Sequence, residues 1–341
     1  MAFPIRGNSY TEPFYAAIEA LGAQVHEGIF AGRWLLKNLR GVDYVHMHWP
    51  SFFYNFPRPA SCIRGFGLFL FLLALARWRG ARIIWTVHNI YPHDPCVVPR
   101  LHQIVRWVLV RTASWFLVHG PSAEREVLRC FPGTKGRIIQ IDHGHWVDYY
   151  PNRVSRDAAR QKLGIAEGAY AFVFVGLCKP YKNLEALVAA FDRVRSDAVL
   201  LIAGRFDDPE YEARIRSAIE RAASRSRIQI HGKFIPDEDL QIFLNAADAV
   251  VTPYVETLTS GTAMLALSFG RPVIAPARGS LKDLVTADCG VLYSPQQPNG
   301  LEEAMLRAMD SAFDPEQITA HALSYNWDRS AARLLDVLGS R

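Results

Sequence analysis

The sequence is poor in cysteine. Its five, Cys62, Cys96, Cys130, Cys178 and Cys289, are odd in number and scattered, and no C-x-x-C pair occurs. Such a set builds neither a disulfide framework nor a zinc ribbon, and it fits a reducing cytosol. Long hydrophobic runs are missing too. The longest, Phe66 to Ala76 (FGLFLFLLALA), falls short of the roughly 20 residues that cross a bilayer and reads as a buried or interfacial helix. The opening MAFPIRGNSY lacks the apolar stretch of a signal peptide and reads as the end of a first strand entering a loop, so secretion is not expected. No G-x-G-x-x-G follows a predicted strand, which speaks against a dinucleotide oxidoreductase. Low-complexity tracts and repeats of about 20 to 50 residues are absent as well.

What is present is ordinary apolar mass: half of the 341 residues are hydrophobic and 21% are charged. That composition excludes a disordered tail, a collagen-like repeat and a small disulfide-stapled module. At roughly 100 to 200 residues per domain, two domains are expected. Charge is uneven. Residues 1–150 hold 16 Lys+Arg against 9 Asp+Glu, net +7, and the remainder holds 22 against 24, net −2. The overall +5 is modest and accompanies no recognition motif, so no nucleic-acid partner is expected.

Short β-rich runs alternate with amphipathic stretches of helical length, the pattern of parallel sheets covered by helices. In the first half the predicted strands are Asp43–Trp49, Arg82–His88, Trp115–His119 and Arg137–Ile141, with helices at 63–78, 99–111 and 121–131. The second half repeats the rhythm with strands Tyr170–Val175, Val199–Ala203, Ile228–His231, Ala249–Thr252, Val273–Ala275 and Val291–Tyr293. Its helices are predicted near 182–195, 209–224, 237–246, 260–269 and 299–310. Two doubly wound α/β domains follow, residues 1–150 and 151–322. The segment Asp148–Arg156 (DYYPNRVSR) is the hinge between them. A last helix, Trp327–Leu338 within 323–341, is expected to pack back on the first domain.

Ligands of open α/β sheets bind at the carboxyl ends of strands, so motifs there carry the weight. FVFVGLCKPYKNLEALVAAF (172–191) places Gly176 directly after a buried strand, then Lys179 and Lys182 ahead of a helix. A glycine allows close backbone approach, and cations beside a helix N-terminus hold phosphates; solvated lysines in a plain turn are the equal alternative. TPYVETLTSGTAMLALSFGRPVIAP (252–276) ends a strand at Pro253-Tyr254, carries Glu256 and Thr257 in a loop, and opens an apolar helix with Thr259, Ser260, Gly261 and Thr262. Ser260 or Thr259 suits an N-cap, and the small residues leave amides open to a phosphate.

These two segments at this spacing resemble GT-B glycosyltransferases, in particular the family 4 type that uses GDP-mannose and UDP-sugars. The resemblance covers both halves and implies two Rossmann-like domains facing a cleft. It implies that Gly176, Lys179 and Lys182 bind the donor diphosphate, with Leu177 where an Arg is commoner. Arg205, after Gly204, is implied to lie near the donor, and IHGKFIPDEDL (230–240), with Lys233 and Phe234, to hold the nucleotide base. Many members carry two glutamates separated by seven residues; here Thr257 and Leu265 occupy those places and Glu256 stands one position early. Carboxylate binding of the ribose at 265 is thus impossible. Retention is not carried over, and an inverting transfer stays open.

In the first half, HMHWP (46–50) and WTVHNIYPHD (85–94) put histidines at strand ends, and the resemblance implies that His88 contacts the donor sugar or phosphate. An inverting transfer needs a general base for the acceptor hydroxyl, for which Asp94 is the candidate, with a turn-forming Asp before Pro95 as its plain alternative. His48 and His119 are substitutes and candidate acceptor contacts, and His143 and His145 sit near the hinge. The loop Arg6-Gly7-Asn8-Ser9-Tyr10 brings Asn8 and Tyr10 to the acceptor side. The basic apolar segments FGLFLFLLALARWRGAR and RLHQIVRWVLVR suit an anionic membrane surface, or else a core. The reading is a metal-independent, cofactor-free hexosyltransferase, cytoplasmic and peripheral to the inner membrane face. It moves a sugar from a UDP- or GDP-sugar to a polyprenyl-diphosphate-linked oligosaccharide for exopolysaccharide synthesis. A catalytically inactive GT-B-like binding or partner subunit is the alternative.

Overall fold

The computed structural model describes residues 1–3 and 7–340; Arg6 of the N-terminal loop lies outside the described residues. The chain forms two compact units, Met1–Gly144 with Asn326–Arg341, and His145–Tyr325.

The first unit runs β1 (Ala2–Phe3), α1 (Thr11–Ala20), α2 (Gly32–Asn38), β2 (Tyr44–Met47), α3 (Pro59–Trp78), β3 (Arg82–Thr86), α4 (Arg100–Thr112), β4 (Trp115–His119), α5 (Pro121–Cys130) and β5 (Ile138–Ile141). All five strands are parallel and stand in chain order, each reached by a helical crossover as parallel pairing requires. Their β-branched and aromatic runs are buried on both faces, as parallel strands demand. The register aligns His46 with Ile84, Thr86 with Leu117, and His119 with Ile141. Side chains alternate across a sheet, so His46, His48, Thr86, His88, His119 and His143 all fall on one face.

Helix α3 begins at Pro59, ahead of the predicted 63, because proline is preorganised for a first helical turn. At 20 residues it is, by length and composition alone, apolar enough to cross a membrane, a reach the 11-residue run did not show. Its Cys62, Phe69, Leu72, Leu73 and Ala76 are nevertheless buried in this unit.

The second unit runs α6 (Arg156–Lys162), β6 (Tyr170–Val175), α7 (Leu184–Phe191), β7 (Ala198–Ala203), α8 (Pro209–Arg221), β8 (Ile228–His231), α9 (Asp237–Ala246) and β9 (Ala249–Val251). It continues through α10 (Gly261–Ser268), β10 (Val273–Pro276), α11 (Leu281–Leu284), β11 (Gly290–Tyr293), α12 (Gly300–Met309) and α13 (Pro315–Leu323). The strand order is β11-β10-β9-β6-β7-β8, all parallel. From β6 the chain winds one way through β7 and β8, then returns to start the other half at β9. The reversal lies between β6 and β9, and the crevice beyond their carboxyl ends is where an open α/β sheet takes its ligand. The helix predicted at 182–195 is shorter, because Asn183 is left-handed (φ +57°) and separates a 3₁₀ turn at Pro180–Lys182 from α7.

The last helix, α14 (Trp327–Gly339), belongs to the first unit and packs on α1 and β5. Asp142 pairs with Arg329, its amide donates to Ser330 Oγ (3.0 Å), and Tyr44 donates to the Leu338 carbonyl (3.0 Å). A Cβ at Gly144 would overlap the Trp327 ring at 2.1 Å, so the close fit requires glycine.

Candidate functional site

Two constellations stand at strand ends, one in each unit. In the second, β6 ends at Gly176 (φ +125°), whose absent Cβ leaves a space bounded by Lys182 Nζ at 3.5 Å and Thr262 Oγ1 at 3.6 Å. A backbone turn, an ammonium and a hydroxyl of the first turn of α10 therefore converge at the switch point between β6 and β9. Ser260 caps α10 by accepting from the Ala263 amide (3.2 Å), which leaves the neighbouring N–H groups of the first turn for an anion. Lys182 is buried and donates to the Tyr254 hydroxyl at 3.0 Å, with its Nζ 4.5 Å from that ring's centre. Burial works against its charge, but the Tyr254 and Tyr181 hydroxyls outweigh that and raise its pKa above the ordinary lysine value. The Val255 amide donates to the Tyr181 carbonyl (2.9 Å) and ties the two loops together. A fixed buried ammonium beside free helix amides is suited to a diphosphate.

The other predicted residues of this unit are placed less centrally. Lys179 is half-buried in the loop before Pro180. Glu256 is exposed, and Thr257 donates its hydroxyl to the Thr259 carbonyl (2.9 Å). Leu265 is buried on α10. Gly261 is the first residue of α10. Arg205 pairs with Asp207 at 2.8 Å. Lys233 and exposed Phe234 line a cavity of about 690 Å³ with His231, Arg216, Asp239 and Phe243, and that lining shares no residue with the Gly176 cluster.

In the first unit the face that carries the histidines forms a buried cluster. Thr86 Oγ1, His46, Tyr15, His48 and His88 are joined in series. His46 Nε2 lies 2.8 Å from Thr86 Oγ1 and its Nδ1 2.7 Å from Tyr15 OH; His48 Nε2 lies 2.7 Å from the same phenol and its Nδ1 3.0 Å from His88 Nε2. Trp49 stacks on His88 (4.4 Å, 14°). The Tyr10 ring stands edge-on to His48, His88, His119, His143 and Trp327, with centroids 4.7–5.6 Å apart. Burial drives every imidazole below its ordinary range, His46 and His119 to about 3 and His143 to about 4. His48 and His88 fall well below it, by burial and then by neighbouring histidines. All five are neutral near pH 7.

This geometry changes several roles expected from sequence. Both ring nitrogens of His48 are engaged and the residue is buried, so it is not left to hold an acceptor or to act as a base. His119 is buried and too weakly basic for proton abstraction near neutrality. Tyr10 is buried too, and its hydroxyl has no partner among the described residues. Asn8 Oδ1 accepts from the amides of Tyr10 (2.9 Å) and Thr11 (3.3 Å), so it shapes the start of α1. Asp94 is exposed in the loop after β3. Tyr15, Thr86 and Tyr254 were missed from the sequence. The i, i+2 spacing of His46 and His48 in a strand was the available signal for a shared face, whereas nothing local marked Tyr15 on α1 as their bridge.

Comparison with known proteins agrees with the fold. Residues 169–311 match the family described as Glycosyl transferases group 1. The chain is 26% identical over 311 residues, 89% of its length and 82% of the relative's, to a GDP-mannose:glycolipid 4-beta-D-mannosyltransferase of Xanthomonas campestris pv. campestris. It is 29% identical over 198 residues, 54% of its length and 46% of the relative's, to a D-inositol 3-phosphate glycosyltransferase of Thermomonospora curvata. Among solved structures, HepE from Anabaena in complex with UDP and glucose superposes with a TM-score of 0.70 at 15% identity, covering 92% of this chain and 84% of that one. A sucrose-phosphate synthase from Thermosynechococcus elongatus gives 0.68 at 21% identity, with 88% and 74% covered.

Proposed function

We propose that this chain, which has a GT-B fold and resembles family 4 glycosyltransferases, uses a nucleotide sugar in a particular transfer. The sugar leaves a GDP- or UDP-linked donor for a hydroxyl of a polyprenyl-diphosphate-linked oligosaccharide in exopolysaccharide synthesis, at the inner face of the cell membrane and with inversion. The observation that carries the donor half is the convergence of Gly176, Lys182 and Thr262 at the reversal point of the second sheet. Lys182 and the amides of α10 neutralise the departing diphosphate, which is the role a metal would otherwise fill. In the first unit the family resemblance assigns His88 to the sugar or phosphate, and Asp94, exposed on its loop, is the general base for the acceptor hydroxyl.

The composition of the first unit supports a lipid-borne acceptor. Between Asp43 and Glu124 the sequence has eight arginines and a single carboxylate, Asp94. Arg77 donates to the Thr112 carbonyl (3.1 Å), so the C-terminal ends of α3 and α4 lie near each other. Together they expose Ile63, Phe71, Trp78, Ile104 and Trp107. A basic surface bearing exposed aromatic and aliphatic side chains suits anionic lipid headgroups. The activity of the Xanthomonas relative, on a glycolipid, points the same way.

The test is calorimetric and thermal-shift binding of GDP, UDP and their sugar conjugates without added metal. At 100 times its dissociation constant, the correct nucleotide is expected to add about 2.7 kcal/mol of stability. Silence toward every nucleotide in folded protein would favour the inactive partner subunit, which the loss of a glutamate at Leu265 permits. In the same assay Lys182→Ala is expected to weaken diphosphate binding by about 1.5 to 3 kcal/mol, the range for a hydrogen bond to a charged group. Unchanged affinity would remove Lys182 from the site.

A further inference from the structure

The hydrogen-bonded series in the first unit has a direction, and that direction is fixed at its far end. Tyr15 has one hydroxyl proton and two imidazole partners, so it donates to one histidine and accepts from the other. Because each neutral imidazole carries a single N–H, the whole series has only two senses. Thr86 decides between them. Its hydroxyl is fully buried, and His46 Nε2 is its sole partner among the described residues. A buried hydroxyl proton without an acceptor costs about 1–3 kcal/mol, so Thr86 donates to His46 Nε2. His46 then carries its proton on Nδ1 and donates to Tyr15. Tyr15 donates to His48 Nε2, and His48 donates from Nδ1 to His88 Nε2. His88 is left with its proton on Nδ1, an atom without a partner among the described residues on a side chain that keeps 5% of its surface exposed.

We propose that Thr86, through His46, Tyr15 and His48, fixes His88 as the neutral Nδ1–H tautomer, so that His88 meets its ligand as a hydrogen-bond donor to a sugar or phosphate oxygen and not as a base. The identity of that ligand rests on the function proposed above; the tautomer does not. Thr86, His46, Tyr15 and His48 are positioning residues. They act at a distance through the arrangement of protons that leaves neither hydroxyl of the series without an acceptor, and Trp49, stacked on the imidazole, holds the ring in plane.

The experiment is long-range ¹H–¹⁵N correlation of histidine-labelled full-length protein near pH 7.5, with His88 assigned by its loss in His88→Gln. The expected wild-type pattern is a proton on Nδ1 of His88. Tyr15→Phe cuts the series at its centre and uncouples His88 from Thr86, so His88 is expected to populate Nε2–H there; in Thr86→Val, where reversal would set the His46 Nε2–H against a methyl group, the Nδ1–H population is expected to fall in part, and Thr86→Ser restores it. Nucleotide-sugar affinity is expected to fall by up to about tenfold in Thr86→Val and to recover in Thr86→Ser, as loss and return of one hydrogen bond require. A wild-type His88 protonated on Nε2, or a Thr86→Val protein with an unchanged tautomer, overturns the proposal. The expected tautomers in a protein that binds no nucleotide sugar would uphold the series and remove the donor reading instead.

Discussion

Acidification to about pH 5 is expected to unfold the unit formed by Met1–Gly144 and the C-terminal helix. Five imidazoles, His46, His48, His88, His119 and His143, are buried together there. Among the described residues, the charges that shift them are one another and the Met1 amine. Above about pH 6.5 they are neutral in both folded and unfolded chains and contribute nothing to the pH dependence. Below it the unfolded chain binds protons that the folded unit refuses down to about 3 to 4, so stability falls as pH falls across that window. At pH 5 each of His46, His119 and His143 kept neutral costs about 2 kcal/mol, about 6 kcal/mol together, which is comparable to a typical domain's whole stability, and His48 and His88 act in the same direction. Seven of the eight tryptophans belong to this unit, so their fluorescence and near-ultraviolet dichroism report on it directly. His119→Asn is expected to move the acid midpoint to lower pH. A wild-type protein that stays folded below pH 4, or a variant with the same midpoint, would show that the folded cluster accepts protons after all.

Gly204→Ala is expected to destabilise the second unit by about 3 kcal/mol or more. Gly204 follows β7 at φ +154° and donates its amide to the His231 carbonyl (3.0 Å), while Gly176 after β6 donates to the Ala203 carbonyl (3.0 Å). A methyl group at 204 would sit 1.8 Å from the Gly176 carbonyl oxygen. Backbone meets backbone there, so no side chain can swing aside, and the strain of the dihedral adds to the overlap. Gly168→Ala is the control: its φ is +78° but open space surrounds it, so it incurs only the backbone strain, about 1 kcal/mol. Denaturant unfolding of the two variants measures the difference. Because Gly176 bounds the space beside Lys182 and Thr262, any Gly204→Ala protein that still folds is expected to lose nucleotide affinity as well. Equal stability of the two variants would mean that the ends of β6 and β7 are not in contact.

The strands and the helices between them were legible in the sequence because parallel sheets leave long β-branched and aromatic runs. The predicted Tyr170–Val175 and Trp115–His119 are the observed β6 and β4. The helices α1, α2, α6, α11 and α13 were not read. They are short or polar, or they lie where no strand on either side framed them, so their apolar faces have meaning only against partners distant in sequence. The left-handed Asn183 that shortens α7 was likewise invisible, since a single residue of that type fits a helix nearly as well as a turn. The motif around Gly176 and Thr262 was visible as two phosphate-suited segments, but their meeting was not, because it depends on β9 lying beside β6 after the chain has passed through β7 and β8.

By itself the sequence determined the class of fold, two α/β units, and the chemistry offered at the strand ends: glycine and lysine in one unit, histidine in the other. Those follow from local pattern, since periodicity and residue type are properties of short segments. Only the tertiary structure decided which side chains act together. Lys182 became a fixed ammonium because Tyr254, 72 positions away, accepts from it. His48 ceased to be a candidate base because Tyr15 and His88 occupy both of its nitrogens. A hydrogen bond is formed within about 3 Å of space whatever the separation along the chain, so strand register and helix docking, rather than spacing in sequence, settle what each of these residues can do.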